Sequence, residues 1–337
     1  MADRGEVRLE DLTAVIAGGD TGHRVDPLDP ARVLSDPEGS AALASLVGRL
    51  RSGGAVFSRD SEDPLVTLAR GDELDQREAI DALGAPTVQA LAGCGALDIS
   101  GTRARLTTRI FGMGAIYTLL PYSRDDLDTV YLGPDSMVFF EIIWAARGFG
   151  DRAVDLATGN AFIGAALATR YDHVVAADLS ARCAATAALV PILNPHLRGR
   201  FSAVRADVTD GLRPGSFDLV TANAPWVPES LPPIDATARR FAAGGPTGFE
   251  LPRRFVDGAA DLLAPGGRAF IACMALDLDD GRRPVEDHLA EVRRRDFDVE
   301  VTATRANQVF DYATWAARKL PDAIGARHVV IEIRRPR

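Results

Sequence analysis

Lysine is nearly missing from this chain: of 38 basic residues only Lys319 is a lysine, and the rest are arginine. Acids outnumber bases 47 to 38, for a net charge of −9. Nucleic acid is held through clustered basic side chains, so no nucleic-acid partner is expected. Cysteine is scarce too. Cys94, Cys183 and Cys273 stand far apart, with no pair at metal-ligand spacing, and an odd count does not make a disulfide framework. The histidines (His23, His173, His196, His288 and His328) are equally scattered, which argues against a zinc site. A reduced, cytoplasmic protein without a metal is the expectation. No run of 18 apolar residues exists, so no membrane span is expected. Met1 to Glu6 is charged and lacks an apolar core, so no signal peptide is expected either. Internal repeats and low-complexity tracts are also lacking.

What is present is an ordinary globular composition, 47% hydrophobic and 25% charged over 337 residues, enough for two domains. Gly18-Gly19-Asp20, Asp26-Pro27 and Asp29-Pro30 read as turns, and Ala41 to Leu50 as a helix closed by Gly53-Gly54. Short helices follow at Arg77–Leu83 and Pro86–Leu91, then strands at Ala96–Ile99 and Ala104–Ile110. Helix, turn, helix and hairpin is the pattern of a winged helix. Residues 51–150 hold nine arginines against fourteen acids. A recognition helix in that field would repel phosphate, so an accessory, substrate-capping or dimerising domain over 1–129 is expected in place of a DNA-binding one.

From residue 130 the pattern changes. A helix over Asp135–Ala146 precedes apolar strands alternating with helices: strands at Ala153–Ala157, Val174–Asp178, Phe201–Arg205, Leu219–Ala222, Arg268–Met274, Val299–Arg305 and Val329–Ile333. Apolar strands separated by helices predict an α/β, Rossmann-like doubly wound sheet over 130–337, mostly parallel, with one antiparallel edge strand from the closing pair.

Three acids fall in order on successive strands. Asp155 ends the first and opens the small-residue turn Leu156-Ala157-Thr158-Gly159-Asn160-Ala161. Small residues between strand and helix let backbone approach a nucleoside closely. Asp178 ends the second strand, at the spacing of a ribose-binding acid. Asp207 follows the third, where it can accept from an adenine amino group while Val208 packs on the ring. Singly, each acid is as readily a cap or turn residue; together they predict a nucleoside site.

The fourth strand leads into Asn223-Ala224-Pro225-Trp226. This resembles the Asn-Pro-Pro-Tyr loop of S-adenosylmethionine-dependent methyltransferases that modify a planar nitrogen. Ala243-Gly244-Gly245-Pro246-Thr247-Gly248, Ala264-Pro265-Gly266-Gly267 and Gly133-Pro134-Asp135-Ser136 are similar to segments of the branch that methylates release-factor glutamines. The resemblance covers about residues 130–335 and not the N-terminal part. It implies S-adenosyl-L-methionine as cofactor, held by Asp155, Ala157, Gly159, Asn160, Phe162, Asp178, Leu179, Asp207, Val208 and Asn223. It implies catalytic roles for Asn223, Pro225 and Trp226: Asn223 Oδ1 accepts from the acceptor nitrogen and Trp226 stacks on the planar group. Ala224, Trp226, Tyr117 and Tyr131 are expected at the acceptor, the tyrosines as core aromatics or as an N-terminal lid.

The departures are informative. Ala157 and Ala161 stand where that family usually has glycine, and alanine tolerates positive φ poorly. Ordinary φ there, or a shifted cofactor, is the expectation. Ala224 and Trp226 move the expected acceptor toward a small molecule or peptide. Protein glutamine methylation, non-methylating use of the cofactor with release of methylthioadenosine, and a cofactor-sensing regulator remain as alternatives, and a homodimer is possible.

Overall fold

A computed structural model describes residues 27–53, 61–120, 132–146, 148–229, 231, 242–304 and 316–337. The first helices begin on one device. α1 (Pro30–Ser35), α2 (Pro37–Ser52) and α3 (Pro64–Arg70) each start with proline after an aspartate whose carboxylate accepts a first-turn N–H. Aspartate satisfies an orphan donor and proline at the first helical position gives up an N–H that has no partner there. Asp29-Pro30, expected as a turn, is therefore a helix start.

β1 (Leu74–Asp75), α4 (Gln76–Leu83), α5 (Ala85–Gly93), β2 (Leu97–Ser100) and β3 (Arg103–Leu106) follow, in a small sheet ordered β1-β3-β2. The strand expected over Ala104–Ile110 is in fact two. It breaks at Thr107-Thr108, and β4 (Arg109–Met113) pairs instead with β5 (Ile116–Leu120) in a separate hairpin. The hairpin turns through Gly114, whose φ of 59° suits glycine.

This hairpin has two faces in two cores. Ile110, Tyr117 and Leu119 pack with α2, α3 and α5. Phe111, Ile116 and Leu120 pack with the C-terminal half. Every residue of β5 is buried. Side chains that alternate along a strand normally place one face toward water; here the second half of the molecule covers that face.

The C-terminal half opens with α6 (Pro134–Ala145), then β6 (Gly150–Leu156), α7 (Phe162–Leu167), β7 (Tyr171–Asp178), α8 (Ala181–Ala188), α9 (Val190–Leu193) and β8 (Phe201–Arg205). The helical stretch between β7 and β8 is interrupted at Leu189, ahead of Pro191, whose ring and missing N–H disfavour an interior helical position. β9 (Phe217–Asn223), β10 (Val227–Pro228), β11 (Ala243–Gly245), α10 (Glu250–Leu262), β12 (Leu263–Leu278), α11 (Pro284–Arg294), β13 (Asp298–Ala303) and β14 (Ala323–Arg334) complete the described strands and α-helices.

The main sheet has seven strands in the order β13-β14-β12-β9-β6-β7-β8. Neighbours are parallel except where β14 is involved, which runs antiparallel to both β12 and β13. The antiparallel strand thus sits one place in from the edge. Leu156, Val220 and Ile271 bury toward α10 and α11, and Ala153, Leu219 and Phe270 toward α6 and α7. A Rossmann-like sheet covered on both faces results. The chain starts at the central β6, winds out to β8, then crosses to β9 on the other side of β6. That reversal leaves a crevice beyond the carboxyl ends of β6 and β9, where ligands bind in such sheets.

The two halves are joined by Asn194, which is fully buried. Its Nδ2 donates to the carbonyls of Tyr117 (2.8 Å) and Val190 (2.9 Å). Its Oδ1 accepts from the Tyr117 N–H (2.9 Å) and from Arg51 Nη2 (3.2 Å). Arg51 also donates to the Leu193 carbonyl and lies over the Tyr117 ring. One side chain therefore ties α2, β5 and α9 together.

Candidate active site

A cleft of about 520 Å³ opens at that crevice, within the size range of small-ligand sites. Asp155, at its floor, is 1% exposed and fully engaged. It accepts from Thr158 Oγ1 (2.6 Å), the Gly164 N–H (3.1 Å) and Thr221 Oγ1 (2.7 Å). Burial raises its pKa to about 6 against these three donors. Its geometry is that of an anchor for the loop leaving β6.

That loop is left-handed at three alternate residues: Ala157 (φ 50°), Gly159 (φ 54°) and Ala161 (φ 60°). Of the two alternatives for these alanines, ordinary φ or a shifted cofactor, the first does not hold. Each alanine holds a conformation that favours glycine, at a cost of about 1–2 kcal/mol. The tight path turns the Gly159 N–H onto Asp178 Oδ2 (3.0 Å), and the Ser180 N–H reaches Asp178 Oδ1 (2.9 Å). Each carboxylate oxygen keeps lone-pair capacity for a further donor. Burial raises the Asp178 carboxyl above its ordinary value, opposed by these N–H bonds and by the Cys183 thiol.

Leu179, 60% exposed, forms one rim of the cleft, and Asp207 and Val208 form another. Val208 has φ 53°, a rare conformation for a β-branched residue. Asp207 Oδ1 accepts from Arg254 Nη2 at 3.0 Å, so Arg254 faces Asp207 across the cleft wall.

Asn223 ends β9 at the other side. Its Nδ2 donates to Asp135 Oδ2 (2.9 Å) and Ser136 Oγ (3.0 Å), both on the first turn of α6. Its Oδ1 is buried and unpartnered. A carboxylate only accepts, so Asp135 dictates which end of the amide faces it. The carbonyl end is thereby left with its hydrogen-bonding capacity unspent.

The loop after Asn223 is shaped by backbone packing. Gly244 and Gly248 lie so close to the backbone of Pro225–Pro228 that a Cβ at either would clash, and β11 pairs with β10 there. Glu250 caps the turn by accepting from the Thr247 N–H and hydroxyl. The glycines of this segment thus serve close approach to the loop after Asn223.

Ten of the expected site residues line this cleft: Asp155, Ala157, Gly159, Asn160, Asp178, Leu179, Asp207, Val208, Asn223 and Pro225. Four described ones do not. Phe162 is fully buried against Phe111 and Phe140, and Ala224 lies in the core. Trp226 is 9% exposed, with its ring 5.0 Å from the imidazole of His328 in an edge arrangement. Its ring is thereby largely enclosed by protein. Tyr117 packs in the N-terminal core on Arg51, the core role of the two it was allowed. Tyr131 lies outside the described residues. His328 itself bonds Thr304 Oγ1 through Nδ1 (3.0 Å) while its Nε2 is unpartnered; burial holds its pKa well below the ordinary value, with Asp135 opposing.

Other lining residues were not among the expected site residues. Leu251, Arg254 and Phe255 come from the amphipathic α10, whose inward stripe is legible but whose neighbour is not. Thr221 carried a signal: a hydroxyl within the apolar strand Leu219-Val220-Thr221-Ala222 needs a partner, and Asp155 is it. Among the described residues there is no metal-ligating cluster, and no helix is long and apolar enough to cross a membrane.

No family model matches the chain, and no curated protein matches it. Among solved structures it is similar to the E. cuniculi Mtq2–Trm112 complex, described as responsible for methylation of the eRF1 translation termination factor. There it shares 20% identity over 62% of this chain and 99% of that one, with a TM-score of 0.41. It is also similar to Methanocaldococcus jannaschii Trm5 in complex with adenosine (14% identity, 68% and 56%, TM-score 0.43). A third similarity is to the [4+2]-cyclase SpnF (16% identity, 60% and 81%, TM-score 0.40). What the site can do follows from its own residues.

Proposed function

We propose that the chain is an S-adenosylmethionine-dependent methyltransferase acting on a nitrogen of a small molecule or peptide. The observation that carries this is the amide of Asn223: donors consumed by Asp135 and Ser136, carbonyl oxygen buried and unpartnered at the cleft. A buried acceptor without a donor is costly unless a ligand supplies one. An acceptor N–H is such a donor.

The cleft suits the cofactor. Asp178 has capacity for two ribose hydroxyls, the loop at 157–161 is built of small residues, and Val208 offers an apolar wall beside Asp207. When bound, S-adenosylmethionine supplies an electrophilic methyl group. The chain's part is orientation. Asn223 Oδ1 holds the acceptor N–H and so aims the nitrogen lone pair, the kind of positioning and preorganised polarity that supplies most of the rate in such transfers. Pro225 stiffens the loop behind it. Trp226 supports that loop from the core, so the planar group it was expected to stack on must find its contact elsewhere. We infer further that residues 27–106 are an accessory module of winged-helix type, for which the β1-β3-β2 order with α4 and α5 between its strands is the support.

The test is incubation with S-adenosylmethionine and a panel of amine and amide acceptors, read by adenosylhomocysteine release and by acceptor mass. A methylated acceptor is expected, with turnover lowered about a hundredfold in Asn223→Ala. Release of methylthioadenosine with no methylated acceptor would sink the reading. Asp178→Ala should weaken adenosylhomocysteine binding in calorimetry, and unchanged affinity would refute the placement of the cleft's ligand.

A further inference from the structure

The loop at 157–161 does not hold itself. Three alternate left-handed residues, two with a Cβ, persist only where surroundings impose them. Asp155 and Asp178 secure its first half. The second half depends on Asn160, which is 1% exposed. Its Oδ1 accepts from the Phe162 N–H (3.1 Å), turning the chain into α7. Its Nδ2 donates to Thr118 Oγ1 at 3.1 Å, and Thr118 is 1% exposed. Thr118 belongs to the N-terminal hairpin, 42 residues earlier in the chain. It shares a face of β5 with Ile116 and Leu120, the face toward the C-terminal half.

We propose that Thr118 is a positioning residue for the cofactor loop, so that the cleft takes its correct shape only with the hairpin docked. The proposal rests on reading the cleft as a cofactor site, but the clamp exists apart from any ligand. The neighbouring residues fix its alignment. Tyr117 is held on both backbone groups by Asn194, and Phe111 meets Phe162 edge-on with centroids 5.2 Å apart. Thr118 thus reaches Asn160 from a strand anchored on both sides of the contact. The N-terminal part of the chain then contributes to cofactor binding without touching the cofactor, and a change in how that module sits would be felt at the loop.

The test compares Thr118→Val, which keeps shape and removes the hydroxyl, with Thr118→Ser, which restores it. Amide hydrogen exchange in the ligand-free protein reads the clamp directly. Exchange across residues 157–163 should speed about tenfold in Thr118→Val, as expected for loss of one buried hydrogen bond, and return to the parent rate in Thr118→Ser. Adenosylhomocysteine affinity by calorimetry should fall about tenfold and recover in parallel. Leu119→Val, on the opposite face of β5, serves as the control for general destabilisation. Unchanged exchange at 157–163 in Thr118→Val would overturn the proposal. So would an affinity loss in Leu119→Val equal to that in Thr118→Val. Failure of the parent protein to bind adenosylhomocysteine would count against the cofactor reading, while the exchange result would still decide the clamp.

Discussion

Replacing Asn194 by alanine is the sharpest test of how the two halves are joined. Four hydrogen bonds are lost, but their costs differ. The Val190 carbonyl keeps the Asn194 N–H (2.8 Å), which the substitution leaves in place. Arg51 Nη2 keeps the Leu193 carbonyl (2.8 Å). The Tyr117 N–H and carbonyl lose the amide that pairs with both, in a site where Asn194 is fully buried. An unmade buried hydrogen bond costs about 1–3 kcal/mol, and water entering the vacated space recovers part of it. The expected loss is about 3 kcal/mol in all. Urea denaturation measures it, with Arg198→Ala, an exposed side chain nearby, expected within about 0.5 kcal/mol of the parent. The three tryptophans, Trp144, Trp226 and Trp315, all lie beyond the hairpin, so fluorescence reports the C-terminal half while circular dichroism reports both. The two transitions should coincide in the parent and separate in Asn194→Ala. A loss below about 1 kcal/mol, with transitions still coincident, would refute the argument that this amide couples the halves.

The left-handed alanines should respond differently to glycine. Relief of the backbone is worth about 1–2 kcal/mol and glycine's unfolded-state entropy returns about 0.5–1. Ala161 also forfeits a fully buried methyl, worth about 0.8 kcal/mol, whereas Ala157 is only half-buried. Ala157→Gly should stabilise by about 0.5 kcal/mol in urea melts and Ala161→Gly should be neutral or slightly destabilising; the reverse order would be wrong for this loop. Asp155, with its pKa raised to about 6, contributes stability that is present in acid and lost as pH rises toward and through 6. Relative to Asp155→Asn, the parent should lose about 2 kcal/mol between pH 4 and 7 in parallel melts, and a flat difference would contradict the burial. Asp135→Asn removes the carboxylate that orients Asn223, so turnover should fall severalfold with adenosylhomocysteine affinity unchanged; full turnover would show that the amide needs no such partner.

The cleft was legible because it depends on spacing along single elements. Asp155, Asp178 and Asp207 lie at or just past the carboxyl ends of successive parallel strands, and a parallel sheet brings the ends of its strands together whatever else the chain does. Facing was not legible. Trp226 and Tyr117 are aromatic and near the site in sequence, but each turns into a core, Trp226 onto His328 and Tyr117 onto Arg51. Residue type alone does not distinguish a ring offered to a ligand from one used in packing. The hairpin over 109–120 was missed although Gly114-Ala115 between two apolar runs is a turn signal. Its unbroken burial hides the alternation that marks a half-exposed strand. Thr118 was out of reach, since its partner Asn160 is set by how two halves dock.

The place of β14 in the sheet has a consequence for biosynthesis. β12 is 16 residues long and, among the described residues, is paired on the side away from β9 only by β14. While residues 323–334 are still unmade, that side is a long apolar edge with its N–H and C=O groups unsatisfied, the kind of surface on which chains pair with one another. β13, made earlier, cannot cover it, because its partner in the sheet is also β14. The sheet therefore closes last at its penultimate position, and chains stopped short of residue 323 are expected to aggregate instead of folding into a smaller version of the same sheet.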